Sequence, residues 1–188
     1  MNNSLILLVG PSGCGKTTIA NYLETKGLKQ IQSYTTRPPR YEGETGHTFV
    51  NEEEFANLGE LVAYTEYNGN KYGVPAKMVD ESRIYVIDIP GVKTLLEKYQ
   101  DNNRPMYILY FKSTVATRID RMMERGDCDS AILSRLHTDE QYDWFEKLNN
   151  ISNLGRKMGK EVILQIIDAN KNQEDVIDQV LWYLGLED

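Results

Sequence analysis

A glycine-rich motif near the amino terminus constrains this chain more than any other feature of its sequence. Residues 10–17 read Gly-Pro-Ser-Gly-Cys-Gly-Lys-Thr and match the pattern G-x-x-x-x-G-K-[ST] at every position. A continuous apolar run, residues 4–9, precedes the motif, and residues 16–26 place apolar side chains at helical spacing before Gly27. Strand, glycine-rich loop and helix in this order predict a phosphate-binding loop, in which backbone N–H groups and the positive helix end surround phosphate oxygens.

Individual residues of the loop have distinct expected roles. We expect Lys16 to place its positive charge near a transferred phosphoryl group, and the Thr17 hydroxyl to bind a Mg²⁺ ion that bridges two phosphates. Cys14 occupies a free position of the motif, where it either fits because it is small or reacts as a thiol of lowered pKa. The residues expected to bind the phosphates of ATP are Gly10, Pro11, Ser12, Gly13, Cys14, Gly15, Lys16, Thr17 and Thr18.

The rest of the apolar pattern predicts the fold class. Residues 84–89, 106–111 and 162–167 are further apolar runs of strand length, and helix-competent segments follow them. The last of these segments, residues 174–184, carries its apolar side chains on one face. Alternating strands and helices predict an α/β fold with a mostly parallel sheet, of the kind found in phosphate-loop NTPases, covered by helices on both faces.

The segment between the first helix and the second apolar run predicts a small insertion of mixed structure. We expect residues 28–36 to be extended and residues 40–48 to form a loop. Asn51 followed by Glu54 predicts a capped helix start. Residues 61–67 alternate as in a strand, and the Asn68-Gly69 turn after them predicts a hairpin.

Composition limits the classes of partner. The chain has 188 residues and a formal net charge of -7, which predicts one domain and argues against unspecific nucleic-acid binding. The amino-terminal apolar run is too short for a signal peptide or a membrane span, so we expect a cytoplasmic protein. Cys14 and Cys128 lie far apart, without the spacing of metal ligands, and we expect two free thiols.

A second set of motifs narrows the function further. Residues 33–50 read SYTTRPPRYEGETGHTFV, residues 69–73 read GNKYG, residues 87–92 read IDIPGV, and Arg125-Gly126-Asp127 precedes Arg135-Leu136. In this order they resemble the signature motifs of guanylate kinases over about two thirds of the chain. The chain departs from them in a shortened stretch before Phe49 and in Pro90, which stands where the family has glutamine.

The resemblance implies a three-part molecule and a reaction. Residues 1–32, 75–111 and 151–188 are expected to form the core, residues 33–74 the acceptor-binding region and residues 112–150 a helical lid. The reaction implied is Mg²⁺-assisted transfer of a phosphoryl group from ATP to GMP or dGMP, which yields GDP or dGDP. No protein nucleophile is expected, because the acceptor phosphate attacks directly.

The resemblance also implies how the acceptor is bound. Arg37 and Arg40 correspond to the two arginines that hold the acceptor phosphate, a task that suits bidentate guanidinium groups. Tyr72 corresponds to one of two tyrosines that reach this phosphate, and His47 stands in the place of the other. We expect His47 to donate to the phosphate and to gain charge as the dianion approaches.

Base recognition is where the resemblance is weakest. Ser33 and Asp88 correspond to a serine and an aspartate that read guanine, whereas Ala63 and Val74 stand where the family has polar contacts. Asp88 has three interpretations: it reads the base, orders water around Mg²⁺, or caps the following helix. The family's asparagine near the last strand, which concerns adenine recognition, falls at Asp168.

The predicted lid carries a row of arginines. Arg118, Arg121 and Arg125 are spaced i, i+3 and i+7 on one helix face, and Arg135 follows on the next helix. Arg125 and Arg135 match lid motifs and are expected to stabilise charge on the migrating phosphoryl group. For Arg118 and Arg121 a solvated helix face is an equally good interpretation.

Two other functions fit the same motifs. One is a kinase of this fold that acts on another phosphorylated acceptor, such as a nonstandard nucleotide or a ribose bisphosphate. The other is a non-catalytic guanylate kinase-like binding module, as in scaffold proteins. Such modules typically lose the phosphate-loop residues, whereas Gly15, Lys16 and Thr17 are all present here.

Overall fold

A computed structural model describes residues 3–141 and 144–186. In chain order its elements are β1 (Leu5–Val9), α1 (Lys16–Thr25), β2 (Ser33–Thr35), β3 (His47–Phe49), α2 (Glu52–Ala56), β4 (Ala63–Tyr67), β5 (Asn70–Val74), α3 (Ala76–Asp80), β6 (Ile84–Val86), α4 (Ile89–Lys98), β7 (Met106–Lys112), α5 (Val115–Glu124), α6 (Asp129–Glu140), α7 (Trp144–Lys157), β8 (Val162–Asp168) and α8 (Gln173–Leu184).

The larger sheet is parallel and has β1 in its interior. Its strand order is β6-β1-β7-β8, and every neighbouring pair runs parallel. All residues of β1 are buried, because both faces of the sheet are covered. Leu5 and Leu7 point into one core cluster, whereas Ile6 and Leu8 point into the other. The predicted α/β class with helices on both faces is confirmed.

The helices complete these two cores. Leu95 of α4 and Leu148 of α7 belong to the first cluster, whereas Leu23 of α1 and Val180 of α8 belong to the second. Because parallel strands all end on the same side, the loops after β1, β6 and β7 meet at one edge of the sheet. The phosphate-binding motif follows β1 and therefore lies at this edge.

The insertion forms a second sheet of mixed direction, with the order β3-β2-β5-β4. The predicted hairpin is confirmed: β4 and β5 are antiparallel, and Asn68 (φ 49°) and Gly69 (φ 71°) make the turn with positive φ angles. The prediction of a loop over residues 40–48 is wrong at its end. His47 and Thr48 belong to β3, which pairs parallel to β2 with His47 opposite Ser33.

The strand predicted before α4 is shorter than expected. The strand predicted for residues 84–89 ends at Val86, and α4 begins at Ile89. The reason is local, because the Asp88 side chain accepts a hydrogen bond from the Gly91 N–H and Pro90 lies in the first turn. The capping box predicted at Asn51 and Glu54 is present.

The helices after β7 lie over the phosphate loop and along the core. Helices α5 and α6 contact each other, while α7 contacts α4 and β8. The predicted division into core, acceptor-binding region and lid stays a prediction, and residues 1, 2, 142, 143, 187 and 188 of these ranges lie outside the described residues. Among the described helices, none combines the length and the apolar character needed to cross a bilayer.

Candidate active site

The glycine-rich motif forms a loop whose interior faces a large cavity. Gly15 has a left-handed conformation (φ 95°), which lets the chain turn directly into α1. Lys16 Nζ folds back over the loop and donates to the carbonyl oxygens of Gly10 (2.7 Å) and Pro11 (2.8 Å). Thr17 and Thr18 are exposed in the first turn of α1. The cavity is about 630 Å³, and residues 12–19 form one of its walls.

Cys14 is packed inside the protein. Its side chain belongs to the second core cluster and is 1% exposed. Its sulfur lies 3.5 Å from Lys16 Nζ. Burial of this kind fits the first of the two interpretations, in which a small side chain fills the space beneath the loop. Cys128, by contrast, is exposed, and both cysteines are free thiols.

Arg37 and Arg40 converge on one carboxylate that the sequence did not single out. Glu44 Oε1 accepts from Arg37 Nη2 at 2.8 Å and from Arg40 Nη1 at 3.1 Å, and Oε2 accepts from Arg37 Nη1 at 3.1 Å and from the Arg40 N–H at 2.6 Å. Burial opposes the charge on Glu44, but these hydrogen bonds outweigh it and keep the pKa of Glu44 below its ordinary value. Glu44 lies within the motif of residues 33–50, but nothing in the sequence assigned it a contact with the two arginines.

The arginine pair is suited to an anion. Arg37 is buried, and its guanidinium carbon lies over the ring of Phe49, 5.4 Å from the ring centre. Within the described part of the chain no acceptor partners the buried Arg37 Nε. Burial and the positive charges of Arg135 and Arg37 lower the pKa of Arg40 to about 10. A buried donor and an excess of positive charge both favour a bound phosphate.

Ser33 and His47 form a pair across β2 and β3. A hydrogen bond of 2.8 Å joins Ser33 Oγ and His47 Nδ1. Burial, reinforced by the charge of Arg37, lowers the pKa of His47 to about 4. The ring is therefore neutral at pH 7, and its expected gain of charge as a dianion approaches stays a prediction. Tyr72 packs edge-on against this ring, with 5.6 Å between the ring centres.

Asp88 lies at the carboxyl end of β6 and has two protein partners. Its Oδ1 accepts from the Gly91 N–H and its Oδ2 accepts from the Thr65 hydroxyl, both at 2.8 Å. The third interpretation of Asp88, a helix cap, is thus correct, although the residue also lines a cavity. Burial raises the pKa of Asp88 above its ordinary value, against the effect of these hydrogen bonds.

Ala63 and Val74, which stand where the family has polar base contacts, do not line the smaller cavity that Asp88 borders. Ala63 and Val74 face each other across β4 and β5 and are fully buried in the first core cluster. The cavity measures about 170 Å³, and its walls include Ser33, His47, Thr65, Tyr67, Tyr72, Tyr85, Asp88 and Trp144. Ser33, Thr65 and Asp88 are among the polar side chains that line it, together with the charged groups of Lys16, Arg40, Arg135 and Asp139.

Two of the predicted lid arginines share a carboxylate. Asp127 binds the guanidinium of Arg125 through Nε at 3.0 Å and through Nη2, and it lies 3.6 Å from Arg135 Nε. The hydrogen bond from Arg125 favours the charged form of Asp127 more than burial opposes it, so the pKa of Asp127 lies below its ordinary value. Arg125 and Arg135 both line the larger cavity. Asp127 was not identified as a candidate, because a charge beside a glycine gave no periodic signal.

The solvated face considered for Arg118 and Arg121 is not what the structure has. Arg118 is buried and pairs with Asp139 of α6. Arg121 Nη1 donates to the Cys14 carbonyl oxygen at 3.4 Å, and its other amino group reaches the Lys171 carbonyl. Arg121 also lines the larger cavity, so three lid arginines reach it.

Few protein groups are available to a metal ion. In the described ranges, no group of three or more His, Cys, Asp or Glu side chains is placed to hold one. Thr17 exposes its hydroxyl at the amino end of α1, and Asp88 is close enough to Lys16 for the two charges to interact. A sparse set of oxygen groups fits Mg²⁺, which keeps several waters and binds phosphates in addition to one or two protein ligands.

Comparison with known proteins identifies the family. A sequence model described as guanylate kinase matches residues 2–142. The chain belongs to the guanylate kinase family. The resemblance inferred from the motifs is thereby confirmed, and the match spans the phosphate loop, the arginine pair and the lid arginines.

Individual guanylate kinases are similar over different lengths. The guanylate kinase of Anaplasma phagocytophilum is 36% identical over 119 residues, which are 56% of this chain and 57% of that protein. The chain thus spans little more than half the length of this relative. The guanylate kinase of Latilactobacillus sakei subsp. sakei is 28% identical over 204 aligned residues, or 96% of this chain and 97% of the relative. A crystal structure of the Anaplasma phagocytophilum guanylate kinase shares the fold, with a TM-score of 0.56, 24% identity and coverage of 97% and 85% of the two chains.

Proposed function

We propose that this protein is a nucleoside monophosphate kinase that transfers a phosphoryl group from ATP to GMP or dGMP. One observation carries the proposal: the cavity above the phosphate loop and the cavity of the second sheet meet, and Lys16, Arg40 and Arg135 line both. Three cations at a junction between two nucleotide-sized sites suit the charge that builds up during phosphoryl transfer.

In this proposal the larger cavity takes ATP. The backbone N–H groups of residues 13–18 and the amino end of α1 would surround the phosphates of ATP. Lys16 has only backbone carbonyl oxygens and the Cys14 sulfur as partners among the described residues, so its ammonium group is available to turn toward a phosphate. Arg121 and Arg125, which line the same cavity, would bind phosphate oxygens from the lid side.

The smaller cavity takes the acceptor nucleotide. Arg37 and Arg40 would hold its phosphate, with the buried Arg37 Nε as a further donor. Tyr72 and His47 lie beside this arginine pair. The base would enter among the aromatic side chains and meet Ser33, Thr65 and Asp88. Guanine is favoured because Asp88 presents carboxylate oxygens to N–H donors, as the family relationship implies.

Magnesium would be held by Thr17 together with the phosphates of ATP, and the Asp88 carboxylate would bind its waters. When bound, the ion neutralises phosphate charge and aligns the donor. The protein supplies alignment and cations, and the acceptor phosphate attacks directly, so no side chain acts as a nucleophile. Closure of the lid over both cavities would exclude water, which would otherwise hydrolyse ATP. A cytoplasmic location and the lack of nucleic-acid binding stay predictions.

The test is ADP release with purified protein, ATP and Mg²⁺, measured with GMP, dGMP, AMP, CMP, UMP and a ribose bisphosphate as acceptors. The proposal predicts turnover that depends on the acceptor and is fastest with GMP or dGMP. Equal rates with GMP, AMP and CMP would refute the assignment of the base. A preference for the ribose bisphosphate would show that the acceptor is a sugar phosphate and not a nucleoside monophosphate.

A pair of lysine variants checks that the turnover belongs to this site. Lys16→Ala removes the loop ammonium and is expected to lower kcat by at least about 10²-fold, in the range of lost electrostatic stabilisation at a transition state. Lys93→Ala removes an exposed lysine of α4 that forms an ion pair with Glu97, and it is the matched control. Equal activity of the two variants would contradict the proposed role of the phosphate loop.

A further inference from the structure

A buried ion pair connects the lid to the phosphate loop. Arg118 Nη2 of α5 donates to Asp139 Oδ2 of α6 at 2.7 Å, and both residues are 5% exposed. Neither belongs to the motifs that identify the family, and neither has a role in the proposed phosphate contacts. A buried pair of this kind adds little stability over well-packed apolar residues, because both charges must be removed from water. Its presence beside the active site therefore indicates a role other than stabilising the fold.

The pair binds both polar groups of one backbone position. Asp139 Oδ2 accepts from the Ser12 N–H at 2.9 Å, and Arg118 Nε donates to the Ser12 carbonyl oxygen at 2.9 Å. Ser12 lies in the first half of the phosphate loop. The next residue, Gly13 (φ 79°), approaches α5 so closely that a Cβ atom there would lie 2.7 Å from the Arg118 carbonyl oxygen. The loop is thus held directly against α5 and α6.

Helix α6 also contacts the β4–β5 hairpin, which borders the acceptor cavity. Thr138 of α6 donates from its hydroxyl to Asn68 Oδ1, in the turn of the β4–β5 hairpin, at 3.0 Å. The Tyr67 hydroxyl of that hairpin and Ser12 Oγ are 3.3 Å apart. Helix α6 therefore contacts the donor loop through Asp139 and the acceptor hairpin through Thr138. Ser12 is where these two sets of contacts meet.

We propose that Arg118 and Asp139 are positioning residues that fix Ser12 and thereby hold the phosphate loop in its ATP-binding conformation when the lid lies over it. The inference rests on the proposed function, because it assumes that the loop binds ATP. Asp139 borders the acceptor cavity, but in this account both side chains act through the Ser12 peptide groups and not by contact with a nucleotide. Removal of the side-chain oxygen at residue 139 should weaken the binding of ATP more than the binding of the acceptor nucleotide.

Two neutral double variants separate positioning from stability. Arg118→Met with Asp139→Asn removes both charges but keeps a side-chain oxygen for the Ser12 N–H. Arg118→Met with Asp139→Leu removes the charges and this oxygen, in a side chain of similar size. Neither variant leaves an unpaired buried charge, which would unfold the protein for reasons unrelated to the loop.

Calorimetry of ATP binding, well below the unfolding temperature of each variant, is the deciding measurement. We expect the Asn variant to bind ATP about tenfold more weakly than wild type, because Arg118→Met removes the donor to the Ser12 carbonyl oxygen, and the Leu variant to bind it about tenfold more weakly again, because the acceptor for the Ser12 N–H is also lost. In steady-state kinetics the Leu variant should raise KM for ATP more than KM for the acceptor. Equal ATP affinity of the two variants would overturn the inference.

A third variant tests whether instability alone weakens binding. Arg104 is a buried arginine far from the site, and it donates to the carbonyl oxygens of Asn3 (2.8 Å), Val79 (2.6 Å) and Ser82. Arg104→Met should lower the Tm and leave ATP affinity unchanged. ATP affinity that falls with Tm in all three variants would assign Arg118 and Asp139 a structural role and refute the proposal. Failure of the wild-type protein to bind ATP would refute this inference together with the proposed function.

Discussion

The substitution Glu44→Gln tests the electrostatic arrangement at the acceptor site most sharply. Each carboxylate oxygen of Glu44 accepts two hydrogen bonds, one from Arg37 and one from Arg40. An amide keeps one oxygen and turns its NH₂ group toward the donors that served the other. Breaking a buried charged pair costs about 3–5 kcal/mol, and the partial exposure of the Arg40 side chain (32%) favours the lower end of this range.

A loss of about 3 kcal/mol corresponds to a fall in Tm of about 6–12 °C for a domain of this size. Differential scanning calorimetry measures it directly. The control is Glu52→Gln, which breaks the exposed pair of Glu52 with Lys71 and should leave the Tm close to that of wild type. GMP should narrow the gap between wild type and Glu44→Gln, because its phosphate restores negative charge between the arginines. A Tm of Glu44→Gln within about 2 °C of the wild-type Tm would show that the carboxylate does not stabilise the arginine pair as described.

The pH dependence of this variant has a definite sign. The pKa of Glu44 is lowered in the folded protein, so its contribution to stability is present above the unfolded pKa and is lost as pH falls through the folded value. The difference in stability between wild type and Glu44→Gln should therefore shrink as the solution is made acid, from about pH 5 downward. A difference that grows over this interval would contradict the assigned charge state.

Three further predictions concern the acceptor cavity. Arg40→Lys should raise the KM for the acceptor about tenfold and the KM for ATP less, because lysine lacks the planar fork that binds phosphate. An unchanged KM for the acceptor would show that Arg40 does not bind its phosphate. Asp88→Asn should leave Tm within about 2 °C of wild type, since asparagine also caps helices, but should lower kcat/KM for GMP about tenfold; equal losses for all acceptors would exclude base reading. His47 stays neutral down to about pH 4, whereas the unfolded ring takes up a proton near pH 6.5, so acidification through this interval destabilises the fold. His47→Asn should reduce that loss in thermal unfolding, and it should leave the shape of the rate profile between about pH 6 and 8 unchanged.

The fold was largely predictable from local patterns. Fully apolar strands such as Leu5–Val9 indicate a sheet covered on both faces, and the glycine-rich motif places the loop and helix after the first strand. His47 and Thr48 were missed as strand residues because β3 has three residues and pairs with a partner distant in sequence. Such a short strand has no period of its own to detect.

The candidate site was predictable where chemistry is linked to a motif and unpredictable where it depends on tertiary contacts. Lys16 and Arg40, which the motifs single out, line both cavities, and Arg37 shares the Glu44 carboxylate with Arg40; their roles stay predictions. Asp139 was missed, and Arg118 had an open interpretation as a solvated residue, because their partner Ser12 is more than a hundred positions away along the chain. Helical spacing identifies a shared face but not the element that covers it.

In the proposed reaction this protein joins the γ-phosphoryl group of ATP directly to an acceptor monophosphate. Phosphorus NMR of a mixture of protein, ATP, Mg²⁺ and GMP follows each phosphate separately. The account predicts that the γ signal of ATP is replaced by the β signals of GDP and ADP, at a rate set by GMP and without an increase in inorganic phosphate. Release of inorganic phosphate at the same rate with and without GMP would contradict it.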